Sequence, residues 1–442
     1  MLKEFQNVKV NYEADALVEI KEKTYKIHDC IEGEDILVET EGKYPTLSKI
    51  LKPSQHRIKD GCPYQKECGG CQFMHMDYSY EVEQKKKFLT ELFQGIKSIP
   101  EIEVFSTYEP THYRNKSQMT YKLSKTKKVV CGFYEEYSHR LITVEDCMLQ
   151  SKASNKVIQE LNKILSKHKI KPYDEMTRTG VLRHVLVRYG FQTKELMLVL
   201  VTNGEMFPGR NNVVKDLLKL NLNITTIVQN YNARDTSIVL GDKNKVLYGP
   251  GFIYELVGEY KFKISPNSFF QVNSLGMKKL YSLAINSAQI KKTDIVVDAY
   301  CGVGTISIFT SKYAKEVIGV ELNKQAVQDA NMNARVNKIQ NVSFICDDAT
   351  NYITNAAKNR AKLDCLIMDP PREGSTPQFI NAISYLKPRT VIYISCNPLT
   401  LKRDLNLFKD SYQIKSIVGY DNFPRTKHLE VICTMQLRQN KK

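Results

Sequence analysis

The sequence lacks the long apolar segments that place a protein in a membrane or send it across one. A membrane-spanning helix needs about 18 consecutive apolar residues, and no stretch of this chain approaches that length. Residues 1–8 also lack the apolar segment of a signal peptide. Internal repeats and low-complexity tracts are absent as well. We therefore expect a cytoplasmic protein with globular domains and no membrane partner.

Acidic residues are too few to balance the basic ones. The 48 Asp and Glu residues face 64 Lys and Arg residues, which leaves a formal net charge of +16 over 442 residues. Short basic runs lie at 85–87, 125–128 and 291–292. Any single run is typical of a solvated surface, but the net excess predicts a polyanionic partner.

The eleven cysteines are not accompanied by a secretory signal. In a short secreted chain so many cysteines would indicate a disulfide scaffold, but here they are spread over a long one. We expect reduced thiols that bind metal or take part in catalysis.

The length predicts two or three domains, and the pattern of apolar residues changes twice along the chain. Residues 1–55 carry short β-like runs and predict a small β-barrel. Residues 56–265 begin with a cysteine-rich loop and then mix predicted strands and helices, which indicates an α+β domain. Residues 266–442 predict a doubly wound α/β domain, because from Asp294 onward strands and helices alternate as in a parallel sheet covered on both faces. Its predicted strands are 295–299, 317–320, 342–345, 365–368, 391–395, 412–418 and 431–437.

A glycine-containing turn, Asp-Ala-Tyr-Cys-Gly-Val-Gly-Thr at 298–305, follows the first strand of this alternation. Glycines let the backbone turn tightly and approach a ligand closely. The next strand ends in Glu321, which can accept hydrogen bonds from both ribose hydroxyls, and Asp348 after the third strand can meet an adenine edge or cap a helix. A dinucleotide-binding turn would have glycine where Ser307 stands, and a Walker loop would have Gly-Lys-Ser/Thr. The combination favours a methyltransferase turn.

Two further motifs follow predicted strands at the edge where ligands bind in open α/β sheets. They are Asp-Pro-Pro-Arg at 369–372 and Ser-Cys-Asn-Pro at 395–398. A lone cysteine at a strand end is more often a small buried apolar residue than a nucleophile. The position of Cys396 beside a cofactor turn favours the nucleophile.

Methylation of a uracil ring is a reaction that needs such a thiol. Carbon 5 of uracil is a poor nucleophile, and addition of a thiolate to carbon 6 makes an enolate that is nucleophilic at carbon 5. A base must then remove the carbon 5 proton so that the thiolate can leave. Glu430, just before the final predicted strand, is our candidate for this base, although its position alone fits a solvated carboxylate equally well.

These residues resemble a known family, the RNA 5-methyluridine methyltransferases, and within it the 23S ribosomal RNA branch that carries an iron–sulfur cluster. The resemblance covers nearly the whole chain. It rests on five motifs in the same order, at 265–273, 298–305, 369–372, 395–398 and 424–430.

The resemblance implies a Rossmann-like methyltransferase domain that uses S-adenosyl-L-methionine (SAM) and methylates uridine carbon 5 in RNA. Cys396 matches the family's nucleophile and Glu430 its proton acceptor. Phe269 matches an aromatic residue that packs against the target base, which Gln271 and Asp369 also face. The residues implied to bind SAM are Gln271, Tyr300, Thr305, Glu321, Asp348 and Asp369.

Cys62, Cys68 and Cys71 are close enough in sequence to share one metal centre. A fourth ligand must come from elsewhere: Cys147 follows a polar turn, while Cys131 lies in a predicted strand and Cys30 near the barrel. A structural zinc takes four cysteines equally well, but zinc sites more usually have C-x2-C pairs at both ends. The resemblance implies a 4Fe-4S cluster on Cys62, Cys68, Cys71 and Cys147.

Residues 1–50 resemble, more weakly, the small RNA-binding β-barrel of this family, which is TRAM-like and related to OB folds. The glycine-rich opening usual there is replaced by Asn-Tyr-Glu-Ala-Asp at 11–15.

Two alternatives differ in chemistry. An amino-methyltransferase also uses Asp-Pro-Pro but needs no nucleophilic thiol, and a non-catalytic iron–sulfur RNA-binding protein needs neither the thiol nor the cofactor turn. The presence of Cys396, Glu430 and the turn disfavours both.

We expect 23S ribosomal RNA as substrate because the transfer RNA branch usually lacks the four cysteines; transfer RNA is the alternative. A monomer is the default expectation.

Overall fold

The computed structural model describes residues 1–42, 44–59, 61–96, 99–107, 109–135, 138, 140–236 and 238–439. Within these ranges no helix combines the length and the apolar character needed to cross a bilayer.

Residues 2–52 form two small sheets around one apolar core. Their strands are β1 (Leu2–Phe5), β2 (Ala16–Ile20), β3 (Lys23–Ile27), β4 (Asp35–Glu39) and β5 (Thr46–Lys52). β1, β4 and β5 pair antiparallel, and β2 and β3 make a hairpin. Alternate residues of a strand point to one face, so Ala16, Val18, Ile36 and Val38 fill the core. Five strands around one core therefore occupy the part of the chain where we expect a small β-barrel, and closure of these strands into a barrel stays a prediction.

The middle of the chain forms a seven-stranded sheet with α3 (Lys152–Lys167) on one face. The strand order is β13 (Lys243–Tyr248), β12 (Ile224–Tyr231), β11 (Leu196–Thr202), β10 (Leu182–Tyr189), β7 (Lys116–Leu123), β8 (Val129–Tyr134) and β9 (Leu141–Thr143). Val157, Leu161 and Leu165 of α3, at helical spacing, bury against one face of this sheet. The other face contributes Leu186 and Val199 to the core of the catalytic domain. The other elements of this part are α1 (Gln65–Cys68), α2 (Tyr78–Phe93), β6 (Glu103–Phe105) and α4 (Arg210–Leu218).

The carboxyl-terminal part is an eight-stranded sheet, preceded by the hairpin of β14 (Ile253–Val257) and β15 (Tyr260–Ile264). The strand order is β18 (Val342–Cys346), β17 (Glu316–Glu321), β16 (Ile295–Ala299), β19 (Cys365–Met368), β20 (Thr390–Ser395), β22 (Glu430–Leu437), β21 (Tyr412–Tyr420) and β6. β16 to β20 pair in parallel, as predicted. β22 runs antiparallel to both β20 and β21. The other elements are α5 (Ser274–Ala288), α6 (Thr305–Ser311), α7 (Lys324–Val336), α8 (Ala349–Lys358), α9 (Pro377–Leu386) and α10 (Pro398–Phe408).

A segment from the first third of the chain completes this sheet. β6 pairs in parallel with the end of β21, where Phe105 lies opposite Tyr420. Nearby, the ammonium of Lys85 on α2 is fully buried, 2.8 Å from a Glu81 carboxylate oxygen and 2.7 Å from one of Asp421. α2 and β6 are thus anchored to the catalytic sheet.

Candidate active site

Residues at the ends of three neighbouring strands converge at one edge of the catalytic sheet. Asp369 directly follows β19, Cys396 directly follows β20, and Glu430 is the first residue of β22. β20 lies between β19 and β22. Ser395 pairs with Val431 across the antiparallel strands, so Cys396 and Glu430 stand side by side, one residue beyond this pair.

The sequence of the strands explains why functional groups appear only at this edge. Every residue of β19 and β20 is buried, as is usual for strands covered by helices on both faces. Pro370 lies two residues after the end of β19, and Pro398 lies three residues after the end of β20. Proline has no N–H with which to continue a ladder. The polar side chains at the strand ends are therefore the first that a ligand can reach.

The surroundings of Cys396 and Glu430 raise the pKa of both side chains. Burial, aided by the Glu430 and Asp369 carboxyl groups, raises the pKa of the Cys396 thiol to about 11, while the Arg372 guanidinium opposes the rise. Glu430 is only 2 % exposed. Burial, and then Asp369, raise its pKa well above that of a surface glutamate. Its Oε2 accepts no hydrogen bond from the described residues, so this oxygen is available to take up a proton.

The helix after Cys396 holds the Asp-Pro-Pro-Arg segment in place. Asn397 caps α10 by accepting the Leu399 N–H at 3.1 Å, and its Nδ2 donates to the Arg372 carbonyl at 3.2 Å. The Thr400 hydroxyl donates to the same carbonyl at 3.2 Å. These bonds tie the end of β19 to the end of β20 and leave the Arg372 side chain exposed beside the site. Sequence analysis assigned Arg372 no role beyond its place in the motif.

The glycine turn between β16 and α6 has three residues with positive φ. Tyr300, Gly302 and Gly304 have φ angles of 66°, 56° and 79°, in the left-handed region that favours glycine. A Cβ on Gly304 would lie 2.5 Å from the Phe344 ring, whereas one on Gly302 would meet nothing within 4 Å. The Gly302 N–H donates to Glu321 Oε2 at 3.1 Å, which brings that predicted residue against the turn.

A pocket opens beside this turn, and five of the predicted residues line it together. Gln271 and Thr305 are 7 % and 8 % exposed, whereas Phe269 is 65 % exposed. The lining of the pocket also includes Tyr281, whose hydroxyl lies 3.2 Å from the Thr305 hydroxyl. The five predicted residues in the lining are Phe269, Gln271, Tyr300, Thr305 and Asp369.

Asp348 lies next to this pocket as a helix cap. Its carboxylate accepts the Asn351 N–H at 3.0 Å at the start of α8, which is the structural role that its position also predicted. Burial, and then the Asp348 charge, raise the pKa of the Tyr300 hydroxyl. Asp348 is thus close to the pocket wall but outside the residues that line it.

The segment that carries Phe269 and Gln271 is held by the central sheet. The Asn115 side chain donates to the Gln271 carbonyl at 2.9 Å. The buried Arg188 guanidinium donates to the Pro266 carbonyl at 3.3 Å and to the Ser268 carbonyl. The sequence did not single out these two residues, because their contacts join positions more than 70 apart along the chain.

The four cysteines predicted as metal ligands line one cavity. Burial raises the pKa of the Cys62, Cys68 and Cys71 thiols, and proximity to Cys147 raises each further. The charge of Arg114 opposes the rise at Cys68 and Cys71. Among the residues that the structure describes, no three His, Cys, Asp or Glu side chains are arranged to hold a single metal ion.

The two other candidates for the fourth ligand lie elsewhere. Cys131 is buried in β8, and its sulfur accepts from the Asn162 side chain at 3.3 Å. Cys30 is buried in the core of the amino-terminal sheets. Of the three cysteines considered, Cys147 is the one that lines the cavity with Cys62, Cys68 and Cys71.

Residues 211–439 match the family model described as tRNA (Uracil-5-)-methyltransferase. Two curated relatives are described as uncharacterized RNA methyltransferases. The one from Oceanobacillus iheyensis is 38 % identical over 397 residues, covering 89 % of this chain and 86 % of the relative. The one from Staphylococcus aureus strain MSSA476 is 36 % identical over 415 residues, covering 93 % of this chain and 92 % of the relative.

A solved structure is similar over nearly the whole length. It is the Pyrococcus abyssi tRNA (uracil-54, C5)-methyltransferase in complex with S-adenosyl-L-homocysteine. The TM-score is 0.79 with 26 % sequence identity, and the match covers 98 % of this chain and 100 % of that one.

Proposed function

This chain belongs to the tRNA (uracil-5-)-methyltransferase family, and within it we propose that the chain methylates a uridine of 23S ribosomal RNA through a covalent Cys396 adduct. Methylation of uracil carbon 5 in RNA is the activity of the family. The observation that carries the mechanism is the placement of Cys396 beside Glu430, at the sheet edge where Asp369 lines the pocket.

Cys396 is the proposed nucleophile. Its thiolate attacks uracil carbon 6, and the electrons of the carbon 5–carbon 6 double bond move into an enolate that makes carbon 5 nucleophilic. The free protein holds Cys396 as a thiol, because the pKa of the thiol is raised to about 11. The thiol therefore gives up its proton to solvent before the thiolate attacks. Arg372 is the exposed cation that acts against this rise, and we assign it the role of favouring the thiolate.

Glu430 is the proposed base of the second half of the reaction. After methyl transfer its carboxylate takes the proton from carbon 5. The electrons of that carbon–hydrogen bond restore the double bond to carbon 6, and the carbon–sulfur bond breaks so that Cys396 leaves as a thiolate. A buried carboxylate with an oxygen that accepts no hydrogen bond from the described residues suits this step, because its raised pKa makes it a stronger base.

SAM is the proposed cofactor, and it supplies an electrophilic methyl group on a positively charged sulfur. The pocket suits such a cation because Asp369 lines it and Glu321 touches the glycine turn beside it. Gly302 leaves open space where a ligand can approach the backbone. We assign SAM binding to Gln271, Tyr300, Thr305, Glu321, Asp348 and Asp369.

Phe269, Gln271 and Asp369 are the proposed contacts of the target base. The 65 % exposed Phe269 ring offers a stacking surface to a base taken out of its RNA helix. Gln271 and Asp369 line the same pocket and can hydrogen-bond the uracil edge.

Cys62, Cys68, Cys71 and Cys147 are the proposed ligands of a 4Fe-4S cluster. Thiolates are the usual protein ligands of such a cluster. The observation that supports the proposal is that the four thiols line one cavity. The cluster would support the fold or the RNA contacts, since methyl transfer needs no electrons.

Transfer RNA is the second candidate substrate. It is favoured by the similar Pyrococcus abyssi structure, because that protein is a tRNA (uracil-54, C5)-methyltransferase. We prefer ribosomal RNA because of the four cysteines.

We further propose that the protein works as a monomer in the cytoplasm.

The test of this function is a labelling experiment. The protein is incubated with methyl-labelled SAM and total RNA from a strain that lacks the gene, and the labelled nucleoside and its RNA are identified. We expect 5-methyluridine in 23S ribosomal RNA. Label in transfer RNA would keep the reaction and replace the substrate, and absence of labelled 5-methyluridine would contradict the function.

A further inference from the structure

The segment that leads into Glu430 is held by parts of the chain remote from the catalytic sheet. The buried Arg425, with φ 68°, donates from its backbone N–H to Glu81 at 2.7 Å and from its guanidinium to the Met76 carbonyl at 2.7 Å. The Tyr113 hydroxyl donates to the Pro424 carbonyl at 3.1 Å. Glu430 therefore enters β22 from a segment whose conformation α2 and its neighbours set.

Two further hydrogen bonds join this segment to the residues directly after Cys71. The Phe73 N–H donates to the Arg425 carbonyl at 3.1 Å. The Gln72 side-chain oxygen accepts the Lys427 N–H at 3.1 Å.

Gln72 also reaches into the turn between Cys68 and Cys71. Its amide Nε2 donates to the Gly69 carbonyl at 3.1 Å. Gly69 has φ 65°, so the turn has a specific left-handed geometry that this bond stabilises. One side chain thus bridges the cysteine turn and a backbone N–H three residues before Glu430.

We propose that Gln72 is a positioning residue, which couples the Cys68–Cys71 turn to Glu430 and so sets the rate at which the covalent RNA adduct is released. This inference rests on the proposed function of Glu430. The effect of the cysteine turn is expected in the second half of the reaction, because the two hydrogen bonds of Gln72 join that turn to the segment that carries the base.

The test compares Gln72→Ala with Gln65→Ala. Both glutamines lie in the cysteine-rich loop and are half-buried, but Gln65 bonds Asp29 and His75 instead of the 424–427 segment. Each variant receives methyl-labelled SAM and total RNA from the deletion strain. Nuclease digestion and a denaturing gel then separate label attached to the protein, which is the adduct, from released 5-methyluridine.

Gln72→Ala is expected to methylate at the parental rate in the first turnover but to release the product about 10- to 100-fold more slowly, so that labelled protein accumulates. Gln65→Ala is expected to behave like the parent. Gln72→Glu keeps the acceptor for the Lys427 N–H and is expected to release faster than Gln72→Ala. Amide hydrogen exchange of a 423–431 peptide should rise in Gln72→Ala alone, a readout independent of activity.

Glu430→Gln, run in parallel, separates the two levels of the proposal. If it traps labelled protein while Gln72→Ala traps no more than Gln65→Ala, the coupling is wrong and the base assignment stands. If Glu430→Gln traps none, the base assignment is wrong and the inference fails with it.

Discussion

Ser395 and Val431 are paired across antiparallel strands, and this pair places Cys396 and Glu430 next to each other at the edge of the sheet. The two groups belong to strands that run in opposite directions, so a parallel sheet alone would not have brought them together. Because β22 runs antiparallel to β20, the first residue of β22 lies beside the end of β20. The predicted reaction needs its nucleophile and base on the same ring, and this pairing supplies that proximity.

Cys396→Ala should abolish methylation. Removal of a covalent nucleophile typically lowers kcat by about a thousandfold or more. The rate of 5-methyluridine formation measures this, with Cys433→Ala as the matched control, because Cys433 is a buried thiol in the core of β22. Equal rates for Cys396→Ala and the parent would disprove the covalent mechanism.

Glu430→Gln should stop the reaction after methyl transfer. The amide keeps the shape of the side chain but cannot take the carbon 5 proton, so turnover should fall about 10²- to 10⁴-fold. A protein–RNA complex that survives denaturation should appear on a gel. Normal turnover would remove Glu430 from the base role.

Gly302→Ala and Gly304→Ala should have different effects, although both residues have positive φ. Each variant places alanine in the left-handed region at a cost of about 1 kcal/mol. Gly304→Ala adds a clash with Phe344 and should lower the melting temperature more. Gly302→Ala puts a methyl group into open space beside the pocket and should chiefly weaken SAM binding, measured by calorimetry. A larger loss of stability in Gly302→Ala would contradict this assignment.

Alkylation of Cys396 in the free protein should increase with pH. The thiolate is the reactive form, and a pKa raised to about 11 means that its fraction rises about tenfold per pH unit between about pH 7 and 9. Arg372 lowers this pKa, so Arg372→Ala should slow alkylation at each pH. Peptide mass spectrometry after iodoacetamide treatment gives the rate. A rate that is constant across this range would show that the thiol is already ionised.

The central strands could be predicted because their signal is local. The predictions at 295–299 and 365–368 match β16 and β19 at both ends, since buried parallel strands are continuous apolar runs with turn residues on either side. The five residues that the resemblance implied for the site line one pocket. Of these, Tyr300 and Asp369 directly follow β16 and β19, whose ends meet at one sheet edge.

The remaining features depend on contacts that no local pattern reveals. β6 has three residues and becomes a strand by pairing with Val418–Tyr420. Arg188 and Gln72 act through bonds to carbonyls and N–H groups of distant segments, which any polar side chain of suitable length could make. The domain limits at 55 and 265 stay a prediction, and the pairing of β6 with β21 shows that the catalytic sheet draws on residues before 265.

The most direct test of the central claim is to map the covalent bond. RNA in which 5-fluorouridine replaces uridine is incubated with the protein and SAM, because fluorine at carbon 5 cannot be removed as a proton and the adduct persists. After digestion with nuclease and protease, mass spectrometry identifies the modified peptide. We predict a methylated fluorouridine adduct on Cys396 that requires SAM. An adduct on another cysteine, or methylated RNA with no adduct at all, would contradict the account.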